Sequence, residues 1–225
     1  MPVLHVLRAF AGDDGSGGNA LGVFLKGAAI GADRRQEVAA DVGLPETVFV
    51  DDVRRGRVAI FTPAAELDFA GHPLVGTAWL LASEGRAVSR LRPPAGEVPT
   101  RQEGELSFIA GRPEWGPPFE HHKLDSPEEV DGLEGPPAGH DMVGCWAWED
   151  EAGGIVRCRV FAAPLGIDED EATGSHAVRL AGALRRPLVI HQGAGSTILA
   201  RPLDDGFVEV GGRVAQVVRR DYDPS

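Results

Sequence analysis

Short strand-like runs rich in Val, Leu, Phe, Ile and Thr recur along this chain. They predict strands at 3–10, 21–25, 47–50, 57–62, 66–69 and 87–91. Further on, strands are expected at 188–191, 197–200, 206–210 and 214–219, with Gly211-Gly212 as a tight turn between the last two. Three pairs read as hairpins: 48–50 with 58–61 around Gly56, 97–101 with 106–110 around Gly104, and 143–148 with 155–161 across 149–154. If the last of these turns midway between 151 and 152, Cys145 faces Cys158 and Trp146 faces Arg157.

The helical period appears in three places. Residues 33–42 form an amphipathic helix that ends at Gly43. The other two, 73–84 and 172–185, are unusual. LVGTAWLLA in the first is apolar or small on every face, and the second carries only His176 and Arg179 as strongly polar side chains past its start. A helix that is apolar all round has to be enclosed. Between them lies GRPEWGPPFEHHKLDSPEEVDGLEGPPAGH, a stretch rich in Pro and Gly with one short helix expected near 126–132. The expected organisation is an N-terminal domain, 1–112, a linker region, 113–140, in which His121 and His122 are solvated, and a C-terminal domain, 141–225. Each domain wraps strands around a central helix, and the last strand packs back on the first domain.

Composition narrows the partners. With Lys+Arg 22 against Asp+Glu 34 the formal charge is −12, which argues against a nucleic-acid or anionic-membrane surface. No apolar run approaches the roughly 20 residues of a membrane helix, and the start has no basic segment leading into an apolar stretch. A soluble, cytoplasmic protein is expected. Two cysteines exclude a disulfide framework or a structural zinc site, and in a reducing compartment both are expected to be packed thiols. Thirty glycines and 17 prolines favour many turns and short strands over long helices.

The candidate chemistry sits where the two enclosed helices begin. GHPLVGTAWLLA, from Gly71, and TGSHAVRLAGAL, from Thr173, align Gly71 with Gly174 and His72 with Ser175. A helix start presents unpaired N–H groups and the positive end of the macrodipole, so it attracts carboxylate or phosphate. Gly71-His72-Pro73, with Pro73 expected at the first helical position, and Thr173-Gly174-Ser175 both have this character. Glu46 opens a strand just after the first helix, and Asp170 lies shortly before the second buried helix. His72, Glu46 and Asp170 lack the spacing of a metal site, and no nucleotide-binding glycine pattern or serine-hydrolase elbow is present. Two helix ends on opposite walls of one cleft would suit a small anionic ligand.

Gly18-Asn19 followed by LGVF, LPETVFV around Glu46, FTPAAELDFAGHPLVGTA from Phe61, EDEATGSHA from Glu169 and QGAGSTILARP from Gln192 occur in one order. Together they resemble the phenazine-biosynthesis (PhzF-like) isomerase family, within the diaminopimelate-epimerase-like α+β fold. The resemblance implies two similar β-barrel-like domains, each around a central helix, with the active site in the cleft between them. It implies a cofactor-independent isomerase of the trans-2,3-dihydro-3-hydroxyanthranilate isomerase type, a small-molecule carboxylate substrate and a homodimer. By position, Glu46 is the general acid/base, with His72, Asp170 and Ser175 completing the catalytic set. Asn19, Gly71, Thr173 and Gly174 are the substrate-binding positions. Glu171 and His176 depart from the family pattern, where proline and a small residue are usual. Racemases on the same fold use a cysteine at the start of each central helix, where this chain has His72 and Ser175. An amino-acid epimerase without two thiols and a non-catalytic binder of small acids remain the alternatives.

Overall fold

The computed structural model describes residues 1–223. The chain opens with the hairpin β1 (Val3–Ala11) and β2 (Gly17–Phe24). After α1 (Arg35–Val42) come β3 (Glu46–Asp52), β4 (Arg57–Phe61), β5 (Glu66–Leu67) and α2 (Gly71–Ser83). Next follow β6 (Arg90–Leu91), β7 (Val98–Glu103), β8 (Leu106–Gly111), β9 (Glu120–Lys123) and α3 (Pro127–Asp131). The rest is β10 (Met142–Asp150), β11 (Ile155–Ala162), β12 (Ile167–Asp170), α4 (Gly174–Leu184), β13 (Leu188–Gln192), β14 (Ser196–Pro202) and β15 (Val208–Asp221).

The strands join into one mixed sheet in the order β5-β4-β3-β2-β1-β15-β14-β13-β11-β10-β9, with β12, β7 and β8 branching from it. Pairs β2/β3, β9/β10 and β11/β13 are parallel, and the other pairs are antiparallel. The sheet curls around α2, which packs against β1, β2, β3, β7, β8 and β15, while α4 packs on β14, β15 and α2. Leu74, Val75, Leu80 and Leu81 of α2 are completely buried, each worth roughly 1.5–3 kcal/mol. Both helices are enclosed, as their all-round apolar character requires, and a single core cluster runs through both. No helix among the described residues is long and apolar enough to cross a membrane.

Several expectations are corrected. Gly211-Gly212 makes no turn: β15 runs unbroken from Val208 to Asp221, flanked by β14 and β8 over its first part and paired with β1 from Arg213 on. Those glycines serve close approach instead. A Cβ at Gly211 would lie 2.4 Å from the Ser107 carbonyl oxygen, and one at Gly212 2.9 Å from that of Thr197. The expected strand 87–91 shrinks to Arg90–Leu91. The stretch 113–140 holds the short α3 as expected, but also β9, which carries His121 and His122 alongside β10. Helix α2 begins at Gly71, so Pro73 is its third residue rather than its first, still within the turn where a backbone N–H has no helical acceptor.

The hairpin β10–β11 is also shifted by one residue. Trp146 opposes Cys158 and Cys145 opposes Arg159: the turn is centred one residue later than expected, with Asp150 opposite Ile155, and a bulge between Trp148 and Asp150 takes back only part of the difference. One step of slip sends the two sulfurs to opposite faces. Cys158 joins the main core with Trp146, whereas Cys145 packs with Val143 and Phe161 in a separate cluster. Both are free and buried. Trp146 receives Lys123 over its ring, 5.6 Å from the centroid, in place of the Arg157 contact expected.

Candidate active site

Gly71 and Gly174 are the first residues of α2 and α4, after Ala70 and Thr173 at the N-cap positions, and neither helix start has a side-chain cap. The two starts abut: a Cβ on Gly71 would lie 2.7 Å from the Gly174 Cα. Two positive helix ends are thereby brought together, an arrangement that favours a negative charge between them.

Glu46 reaches this junction because it opens β3, paired in parallel with Leu21 of β2. It is only 7% exposed. His72, in the first turn of α2, places Nε2 2.8 Å from Glu46 Oε2 and 3.3 Å from the Ala20 carbonyl oxygen. The ion-pair contact is not aligned as a hydrogen bond, so Glu46 Oε2 has no hydrogen-bond donor among the described residues. Burial works against the charged imidazole of His72, but Glu46 and Asp170 outweigh it, and its pKa is raised.

Asp170 ends β12. Its Oδ1 accepts from Asn19 Nδ2 at 2.6 Å and its Oδ2 from Thr173 Oγ1 at 2.6 Å. Burial pushes its pKa up to about 6 against the pull of His72. Asn19 also donates to the Ala172 carbonyl at 3.0 Å, so β2 is tied to the segment leading into α4.

Glu46, Gly71, His72, Asp170, Thr173, Gly174 and Ser175 all line one cavity of about 170 Å³. Much of the remaining lining is apolar, with Leu67, Phe69, Phe119, Pro164, Leu165 and Ile167, and among the described residues no Lys or Arg lines it. A larger, more open depression of about 760 Å³ is lined by Arg54, Arg86, Arg90 and Arg92 but by no carboxylate or imidazole. The carboxylates and the imidazole that acid–base chemistry would need line the smaller cavity.

Residues 7–127 match the family model described as phenazine biosynthesis-like protein, PhzC-PhzF. The chain belongs to this family. It is 32% identical to a trans-2,3-dihydro-3-hydroxyanthranilate isomerase of Pseudomonas aeruginosa, covering 86% of this chain and 84% of that one. A protein of the same name from Pseudomonas fluorescens is 30% identical, over 90% of this chain and 88% of that one. Among solved structures, a PhzC/PhzF protein from Clostridium difficile superposes with a TM-score of 0.80 at 18% identity, over 99% of this chain and 100% of that one. A hydroxyproline epimerase from Agrobacterium vitis shares the fold at a TM-score of 0.59 and 10% identity, over 97% and 91% of the two chains. The PhzF-like chain thus has the diaminopimelate-epimerase-like α+β fold expected from its motifs.

Of the residues expected in the site, Asn19 alone stands behind the cavity wall, holding Asp170 rather than lining the space. The two departures from the family pattern point elsewhere. Glu171 accepts hydrogen bonds from the Ala194 N–H and Ser196 Oγ. His176 is fully buried on another face of α4, 3.1 Å from His121 Nδ1 and 3.9 Å from Cys158 Sγ. Burial holds its pKa down at about 3, so it stays neutral. His121 is exposed as expected, yet joined to this buried ring. Neither cysteine lines the cavity. The apolar wall from Phe119, Pro164 and Leu165 was not anticipated, and neither was Gln192, which hydrogen-bonds Thr173. The QGAG motif was the only signal for Gln192.

Proposed function

We propose that this PhzF-like protein is an isomerase that relocates a proton within a small unsaturated cyclic amino or hydroxy acid, with Glu46 as the single general acid/base. The observation that carries this reading is the buried Glu46 carboxylate, paired with His72 alone and facing a small cavity at the meeting of two helix starts.

In this reading the ligand carboxylate lies against the N–H groups at the starts of α2 and α4. Its amine or hydroxyl faces Asp170 and His72, and its ring extends toward Phe69, Phe119 and Leu165. Glu46 takes a proton from a ring carbon, charge spreads through the conjugated system, and the same carboxylic acid returns the proton at another carbon. One double bond migrates and no electrons leave the ligand, so substrate and product are isomers. Positioned acid–base catalysis contributes roughly 10²–10⁴-fold, and the helix-end N–H groups stabilise the developing charge. Ser175, in the first turn of α4 and on the cavity wall, donates to the same anion in this reading.

The relatives named trans-2,3-dihydro-3-hydroxyanthranilate isomerase make that compound the first to assay. Incubation in D2O with NMR detection tests the reaction class. Double-bond migration supports the reading, with deuterium at the new C–H position to the extent that the Glu46 proton exchanges with solvent before it is returned; inversion at the α-carbon without migration would indicate an epimerase, and neither migration nor exchange a binding protein.

A further inference from the structure

The side-chain amide of Gln192, at the end of β13 and 1% exposed, makes three hydrogen bonds, all to the turn that leads into α4. Its Oε1 accepts from the Thr173 backbone N–H at 3.1 Å. Its Nε2 donates to the Asp170 carbonyl at 2.7 Å and to Thr173 Oγ1 at 2.9 Å. Only one amide orientation satisfies this set, because a flipped group would set N–H against N–H and oxygen against carbonyl.

The consequence falls on Thr173. Its hydroxyl oxygen already receives the amide N–H, so its single proton is left to donate to Asp170 Oδ2. The other Asp170 oxygen is held by Asn19. The charged groups that face Asp170 are His72 from α2 and Glu46 from β3, while the neighbouring Glu171 is engaged with Ala194 and Ser196. Gln192 does not line the cavity.

We propose that Gln192 is a positioning residue for the reaction: it fixes the Thr173 hydroxyl as a donor and so holds the Asp170 carboxylate in place and charged on the cavity wall. The inference rests on the reading above, in which Asp170 orients the ligand. Removing a hydrogen bond from a carboxylate disfavours its ionised form, so the effect of losing Gln192 is directional.

Two variants test it. Gln192→Met keeps the length and loses every polar partner; Gln192→Leu also loses them, adds no charge beside Asp170, and serves alone if the first does not fold. In each, the Asp170 titration, followed by 13C NMR of aspartate-labelled protein, is expected to move up by roughly half a unit or more. The kcat for dihydrohydroxyanthranilate is expected to fall about tenfold, with KM changing less. An unmoved Asp170 titration overturns the proposal, whatever happens to turnover. A moved titration with unchanged kcat supports the positioning of Asp170 and counts instead against its role in the reaction.

Discussion

Gly71 and Gly174 touch backbone to backbone: a Cβ on either would come within 2.9 Å of the other's Cα. Backbone cannot retreat as a flexible side chain can, so alanine at either position must drive the helix starts apart. Gly71→Ala and Gly174→Ala are each expected to destabilise the fold by about 1–3 kcal/mol in chemical denaturation. They should also lower kcat about a hundredfold, because displacement by an ångström misaligns a reacting pair. Wild-type turnover in both variants would show that the junction is not part of the site.

The raised pKa of Asp170 gives stability a definite pH dependence. Between 3.8 and about 6 the folded protein holds a proton there that the unfolded chain has released, so this group's contribution falls as pH rises through that window. His72, also raised, acts in the same direction: its contribution is present below its ordinary value of 6.5 and is lost as pH rises through the folded value. Asp170→Asn removes the titrating carboxyl. Urea unfolding across pH 4–7 is expected to show wild type losing about 1–3 kcal/mol relative to this variant as pH increases.

The cysteines are expected to be dispensable for turnover. Burial raises the pKa of both thiols, that of Cys145 to about 11, and their opposite orientation precludes a disulfide between them. The double variant Cys145→Ser, Cys158→Ser should retain kcat within about twofold while losing about 1–3 kcal/mol of stability to the buried hydroxyls. A loss of activity without a loss of folding would reopen thiol chemistry.

In the proposed pose the apolar lining of the cavity holds the ligand ring. Leu165 is 38% exposed at that wall, so Leu165→Lys should fold normally. It is expected to raise KM about tenfold with little change in kcat, the pattern of lost uniform binding.

Much of this arrangement is legible in the amino acids alone. The glycine-marked turns at Gly56 and Gly104, the two all-apolar helices and the motifs around Glu46, His72 and Asp170 indicate the elements and bring the right side chains to one place. Failures arise where one residue type serves two purposes or where a partner is remote. Gly211-Gly212 looks like a turn, but its missing side chains make room for Ser107 and Phe10 on neighbouring strands. The β10–β11 register depends on where the turn is centred and on a bulge, neither of which leaves a mark in the apolar pattern. Gln192 acts on Thr173 across 19 positions of sequence, with no local periodicity to announce it.

The most direct test of a single carboxylate carrying the proton is Glu46→Gln, which preserves shape and removes the base. With trans-2,3-dihydro-3-hydroxyanthranilate, or whichever cyclic acid the wild type turns over, kcat is expected to fall by about 10³-fold or more while the variant still binds ligand and unfolds at the wild-type midpoint. Turnover within about tenfold of wild type would contradict the account.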